Sequence, residues 1–108
     1  MTRFNKANKY NAHKVYSELC GRTFDSRAEA QRGEELELMV LAGEISDLQY
    51  QVPFLLCQKP NIKLRLDFSY KKDGKIIYAD TKGVLTREAR VKLAWLKEKF
   101  GIDVLLTP

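Results

Sequence analysis

Apolar positions change their spacing along this chain, and the changes divide it into elements. From Ser26 to Gly43 the spacing is helical: Ala28, Arg32, Leu36, Met39 and Val40 share one arc of the wheel, which predicts the buried face. Ser26 with Glu29 three residues on fits a capping box, and Gly43 supplies a stop after Ala42. Residues 45–57 read as a strand in which Pro53 marks an edge or a bulge. Leu64, Leu66, Phe68 and Tyr70 then alternate with Arg65, Asp67 and Ser69, the period of two of a strand. A second strand, residues 75–82, follows Asp73-Gly74, a strong hairpin signal. A second helix is predicted over residues 87–100, capped by Thr86, ended by Gly101, with Ala89, Leu93, Leu96 and Phe100 as its apolar stripe. Residues 102–106 read as a final buried strand, and residues 14–24 as a short strand or hairpin about Gly21. Residues 1–12 lack periodicity and form either a basic arm that touches phosphates or a plain tail. The domain proper is residues 13–108, with the order α-β-β-β-α-β: an α/β (α+β) sandwich of a mixed central sheet flanked by helices.

The hairpin places chemistry as well as structure. A two-residue turn at Asp73-Gly74 sets Lys72 opposite Lys75, Ser69 opposite Tyr78, Asp67 opposite Asp80 and Arg65 opposite Lys82. Directly opposite residues share a face with Cβ atoms roughly 4.5–5.5 Å apart. Two aspartates so placed repel each other, and a divalent cation between them turns the repulsion into a binding site. Mg²⁺ suits such a pair, since it takes one or two carboxylates and keeps several waters. Lys82 lies two residues beyond Asp80, hence on the same face. The plainer alternative makes the acids solvated surface residues with Lys82 and Arg65 as charge partners. The shared register and the following Gly83 favour a site.

Glu29 falls inside the apolar arc of the first helix, where a capping role alone does not require it. It points at whatever the helix packs on. Gly33, near the same face, either permits a close approach or is a tolerated weak spot.

Composition narrows the partners. The 108 residues carry nineteen Lys and Arg against fourteen Asp and Glu, a net charge of +5, with 44% apolar and 31% charged residues. This is the balance of one soluble domain whose excess positive charge favours a polyanion, nucleic acid first. Arg87, Arg90, Lys92, Lys97 and Lys99 surround the second helix, either as solvated charge or as a grip on phosphates. Trp95 and Val91 lie on another side of that helix and face a second surface. Cys20 and Cys57 match no metal or redox spacing and read as reduced, partly buried thiols, while His13 has no partner for a triad or a zinc site. No apolar run approaches a membrane span and the first residues lack the core of a signal peptide, so no membrane partner and a cytoplasmic location are expected.

Asp67, then Asp80-Thr81-Lys82, with Glu29 on the preceding helix, resembles the PD-(D/E)XK nuclease superfamily, whose core has the same element order. The segments FDSRAEA, LAGEISDLQYQVPF, LDFSY and ADTKG together look like a family of small phage-encoded proteins within it. The resemblance covers residues 24–101 and implies a restriction-endonuclease-like core and a metal-dependent endodeoxyribonuclease. A non-catalytic DNA-binding module on the same fold is the alternative. The resemblance implies Mg²⁺ or Mn²⁺ held by Asp67 and Asp80, with Glu29 and the Thr81 carbonyl as further ligands. Lys82 is the lysine of the motif, so the catalytic set is Glu29, Asp67, Asp80 and Lys82. Gln51 orients water, metal or DNA, or else satisfies backbone groups. Arg65, Arg87, Arg90 and Lys92 are the candidate DNA contacts. DNA is the implied partner, a homodimer is plausible by symmetry, and phage origin implies host cytoplasm and branched recombination intermediates as substrates. Leu66 stands where the superfamily name has Pro, and Asp80 where Glu is commoner.

Overall fold

The computed structural model describes residues 14–108; the arm expected over residues 1–12 and His13 lie outside the described residues. The chain forms β1 (Val15–Ser17), β2 (Arg22–Phe24), α1 (Arg27–Leu41), β3 (Ser46–Cys57), β4 (Ile62–Lys72), β5 (Lys75–Thr81), α2 (Arg87–Phe100) and β6 (Val104–Thr107). β1 and β2 make a two-stranded antiparallel hairpin, turning through Gly21 at φ 68°. The other strands form one mixed sheet in the order β3-β4-β5-β6. β4 is antiparallel to both neighbours, whereas β5 and β6 run parallel. A parallel pair requires a crossover, and α2 supplies it. The α+β architecture with a mixed sheet thus agrees with the sequence reading.

Both helices begin and end where their capping residues stand. The Ser26 hydroxyl accepts from the Glu29 N–H at 3.1 Å, and that of Thr86 from Ala89 at 3.1 Å. Gly101 closes α2 in the left-handed conformation, φ 71°, donating to the Lys97 carbonyl.

Apolar side chains divide between two cores. Phe24, Ala30, Leu36, Ile45, Phe68, Tyr70 and Ala79 gather under α1, and Leu56, Leu66 and Leu96 under α2. On β4 the change from one core to the other falls between Leu66 and Phe68, at Asp67. On β3 it falls between Tyr50 and Phe54, where Gln51 takes the left-handed backbone, φ 53°. Such a conformation in a non-glycine residue costs of order 1–3 kcal/mol and marks a place where the surroundings dictate the backbone. β3 is an edge strand, as Pro53 indicates. Its pairing with β4 shifts register between Ser46 and Gln49, beside Asp47 at φ 52°, and again between Leu55 and Cys57.

Two expectations are corrected. The buried face of α1 is Glu29, Ala30, Gly33 and Leu36, while Ala28 is exposed. Burying a Phe or Leu contributes about 1.5–3 kcal/mol and an alanine far less. Leu36 and the Phe24 ring brought in by β2 therefore set the helix rotation, and Ala28 turns outward. A Cβ on Gly33 would stand 2.7 Å from Phe24 Cζ, so the close approach is real. The last strand is an edge strand, not a buried one: Leu105 and Leu106 are exposed, because β6 has β5 on one side only.

Candidate active site

The β4–β5 ladder runs in the register set by Asp73-Gly74, from Lys72 opposite Lys75 through Ser69 opposite Tyr78 to Phe68 opposite Ala79. The next position joins Asp67 and Asp80, and here side chains replace backbone carbonyls as acceptors. The Asp67 N–H donates to Asp80 Oδ1 at 2.9 Å, and the Thr81 N–H donates to Asp67 Oδ2 at 2.8 Å. β5 is meanwhile drawn toward β6, with Asp80 opposite Leu106, Thr81 opposite Thr107, and the Lys82 N–H on the Thr107 carbonyl at 2.9 Å. The two strands part at this point, and each aspartate spans the gap to the other strand.

Asp80 is buried, and its Oδ2 receives Lys82 Nζ at 3.1 Å. Burial, joined by the charges of Asp80 and Glu29, pushes the Asp67 carboxyl up to about 8 against the pull of the Thr81 N–H. Glu29 is buried too, and its carboxylate does not return to the helix terminus. It accepts from Gln51 Nε2 at 3.1 Å. Its pKa is raised by burial, then by the charges of Asp25 and Asp80, with Arg22 and the Gln51 bond opposing. Gln51 lies between the rungs Tyr50–Phe68 and Val52–Leu66, that is, at the register position of Asp67. Gln51, Asp67 and Asp80 therefore form a row across three strands.

Asp67 and Gln51 open into a cleft of about 440 Å³ whose walls include Asp25, Pro53, Lys63 and Arg65. Beyond Leu64 a second cleft, about 260 Å³, is lined by Lys82, Thr86 and Lys92. Of the residues singled out from sequence, Glu29, Gln51, Arg65, Asp67, Asp80, Thr81 and Lys82 are thus brought together. Lys92 stands one cleft away, paired with Glu88 at 3.1 Å. Arg87 lies further along, beside Trp95, and Arg90 is exposed outside these clefts. Among the described residues no three or more carboxylate, histidine or cysteine side chains gather as a ready metal cage. Glu29, whose Oε2 accepts from Gln51, is accordingly not joined to Asp67 and Asp80 in one ligand cluster.

Sequence reasoning missed Arg22, Asp25, Pro53 and Lys63. Arg22 lies over the Tyr50 ring at 4.4 Å and opposes the charge on Glu29. Asp25 carried one usable signal, an acid four residues before Glu29 at the mouth of α1.

Residues 7–107 match the family described as protein of unknown function (DUF1064), and the chain belongs to that family. No curated protein and no solved structure matches it. No helix among the described residues is long and apolar enough to cross a membrane.

Proposed function

We propose that this protein is a Mg²⁺- or Mn²⁺-dependent endodeoxyribonuclease built on a restriction-endonuclease-like core. The observation that carries the reading is the cross-strand joining of Asp67 to Asp80 with Lys82 at 3.1 Å. Asp80 is buried and the Asp67 carboxyl is pushed up by burial, with the charge of Asp80 adding to it, so a cation between the two would stabilise a pair of carboxylates that otherwise disfavour each other's charge. The donors are all oxygen, which suits Mg²⁺ or Mn²⁺. Asp67 and Asp80 would hold the ion, Asp67 Oδ1 being outside the bonds described above. The Thr81 carbonyl, and Glu29 acting through water, complete the set. When bound, the ion acidifies a water and offsets charge on the phosphate.

The chain's own groups do the rest. Lys82 places an ammonium beside Asp80, where it meets charge developing on the phosphoryl oxygens. Gln51 fixes Glu29 against the row of acids. Lys63 and Arg65, on the cleft wall, hold substrate phosphates and set the strand's position. A domain of this size would cut both strands of a duplex as a pair of copies. Selectivity for branched recombination intermediates in a phage context belongs to the same proposal and rests on the resemblance.

One observation favours a second reading, a non-catalytic DNA-binding module. Both aspartates already accept main-chain N–H groups, so the motif could serve only to pin β5 to β4. Cleavage of supercoiled plasmid and a four-way junction, with Mg²⁺, Mn²⁺ or EDTA, separates the two. The wild type is expected to cut only with metal. Asp67→Asn should abolish cutting while retaining or tightening DNA binding, and Lys82→Ala should slow it about 10²–10³-fold. Full cleavage by Asp67→Asn sinks the assignment; binding by all three with no cleavage installs the module.

A further inference from the structure

The two clefts at the site continue into a third. Leu64 lines both the carboxylate cleft and the Lys82 cleft. Glu88 and Lys92 line both the Lys82 cleft and a third of about 370 Å³, whose wall includes Ile62, Val91 and Trp95. The three make one track from Asp67 across the outer side of α2. Its lining changes character along the way. Lys63 and Arg65 border the first cleft, Lys82 and Lys92 the second, and Arg87 the third, while the floor of the third is apolar. Glu88 is the acid in the outer part of the track, and it is paired with Lys92 at 3.1 Å.

Trp95 is half-buried, packed against the Leu56–Leu66–Leu96 core, so its indole is held in place rather than free to swing. A fixed aromatic surface in an apolar recess, with cationic groups along the approach, is the arrangement on which unpaired bases stack while the backbone follows the charge. The recess falls in the range of small-ligand pockets, roughly 300–1,000 Å³. A duplex has its base faces covered by neighbouring base pairs and offers this recess only edges and sugar-phosphate. An unpaired base offers a face.

We propose that Trp95, with Ile62 and Val91, is a base-stacking subsite for single-stranded nucleic acid, and that a strand lying on it runs back past Lys92 and Lys82 to the carboxylates. The inference rests on the nuclease reading and narrows its substrate to DNA with an unpaired stretch beside the scissile phosphate.

Trp95 is the one tryptophan in the chain, so its fluorescence reports this recess alone. The full-length protein in EDTA is titrated with a short oligothymidylate and, separately, with a blunt hairpin duplex. Saturable quenching by the single strand and none by the duplex is expected. Binding followed by anisotropy of a labelled oligothymidylate should weaken about tenfold in Trp95→Leu and be largely restored in Trp95→Phe, with both variants checked for native melting. Equal quenching by duplex overturns the proposal, as does anisotropy-detected binding without quenching. A concentration-dependent change in emission without DNA also overturns it, since a second copy then fills the recess. Quenching without metal-dependent cleavage upholds the subsite and removes the nuclease reading alone. Cleavage without quenching does the reverse.

Discussion

Through its burial, Asp67 ties the stability of the fold to pH. Its folded pKa, pushed up to about 8, lies above the roughly 3.9 of an unfolded aspartate, so between those values the native state binds the extra proton. The stabilisation is present in full below the unfolded value and is lost as pH rises through the folded one. Metal-free protein should therefore melt higher at pH 5 than at pH 8. Asp67→Asn, or saturating Mg²⁺, should flatten that difference; calorimetry at the two pH values checks it, and an unchanged slope in the variant would refute the assignment. Gln51 makes a complementary case. Gln51→Gly relieves a left-handed backbone worth about 1 kcal/mol while releasing the Glu29 carboxylate. Losing the donor to the buried Glu29 costs about 1–3 kcal/mol, so unfolding should show stability unchanged or lowered by up to about 2 kcal/mol, and cleavage assays a fall in activity. The aspartate pair was legible in the sequence because Asp73-Gly74 fixes the count along both strands. The bent backbone of Gln51 was not, since nothing about glutamine favours positive φ. Nor was Arg22, which reaches the site only through the packing of a hairpin on a helix.

At the scale of elements, α1 carries the acid and Phe24 sets its height. Gly33→Ala would gain about 1 kcal/mol in helix propensity but drive a methyl to 2.7 Å from the Phe24 ring. Overpacking of that kind costs about 1–3 kcal/mol, so net destabilisation of about 1 kcal/mol or more is expected on urea unfolding. Lifting α1 also carries Glu29 away from Gln51, and activity should fall further than the lost stability accounts for. Helix boundaries were readable from Ser26, Thr86 and Gly101 because caps are local chemistry. Which face α1 buries was not, because Ala28 and Ala30 carry little hydrophobic weight and a distant phenyl ring decides between them. β6 misled for a related reason: an apolar run of residues fits an interior strand and an edge strand equally well.

The whole molecule carries a net charge of +5, and Asp67 opens into a cleft whose walls include Lys63 and Arg65. Phosphate contacts release counterions, so binding should weaken steeply with salt. Replacing Lys63 and Arg65 together by Ala should make the plot of log affinity against log salt shallower by roughly 0.7 per lost contact on a single strand and 0.9 on a duplex. Titrations at several salt concentrations measure it, and an unaltered slope would place the DNA elsewhere. The net charge is legible in the sequence and favours the proposed polyanion, but the placing of the basic side chains depends on which side of Leu64 each one falls, a matter of tertiary twist.

The kinked β3 bears on how copies of the chain meet. Its outer edge offers an extended neighbour no even row of donors and acceptors: Asp47 and Gln51 turn the backbone out of line, and Pro53 brings no N–H. A strand seeking to lengthen the sheet there would lose register within a few residues. Growth of one sheet into another, the first step toward fibrils, is thereby blocked along the longest exposed edge. Within the four-stranded sheet of the described residues, the other edge is the short β6, four residues long.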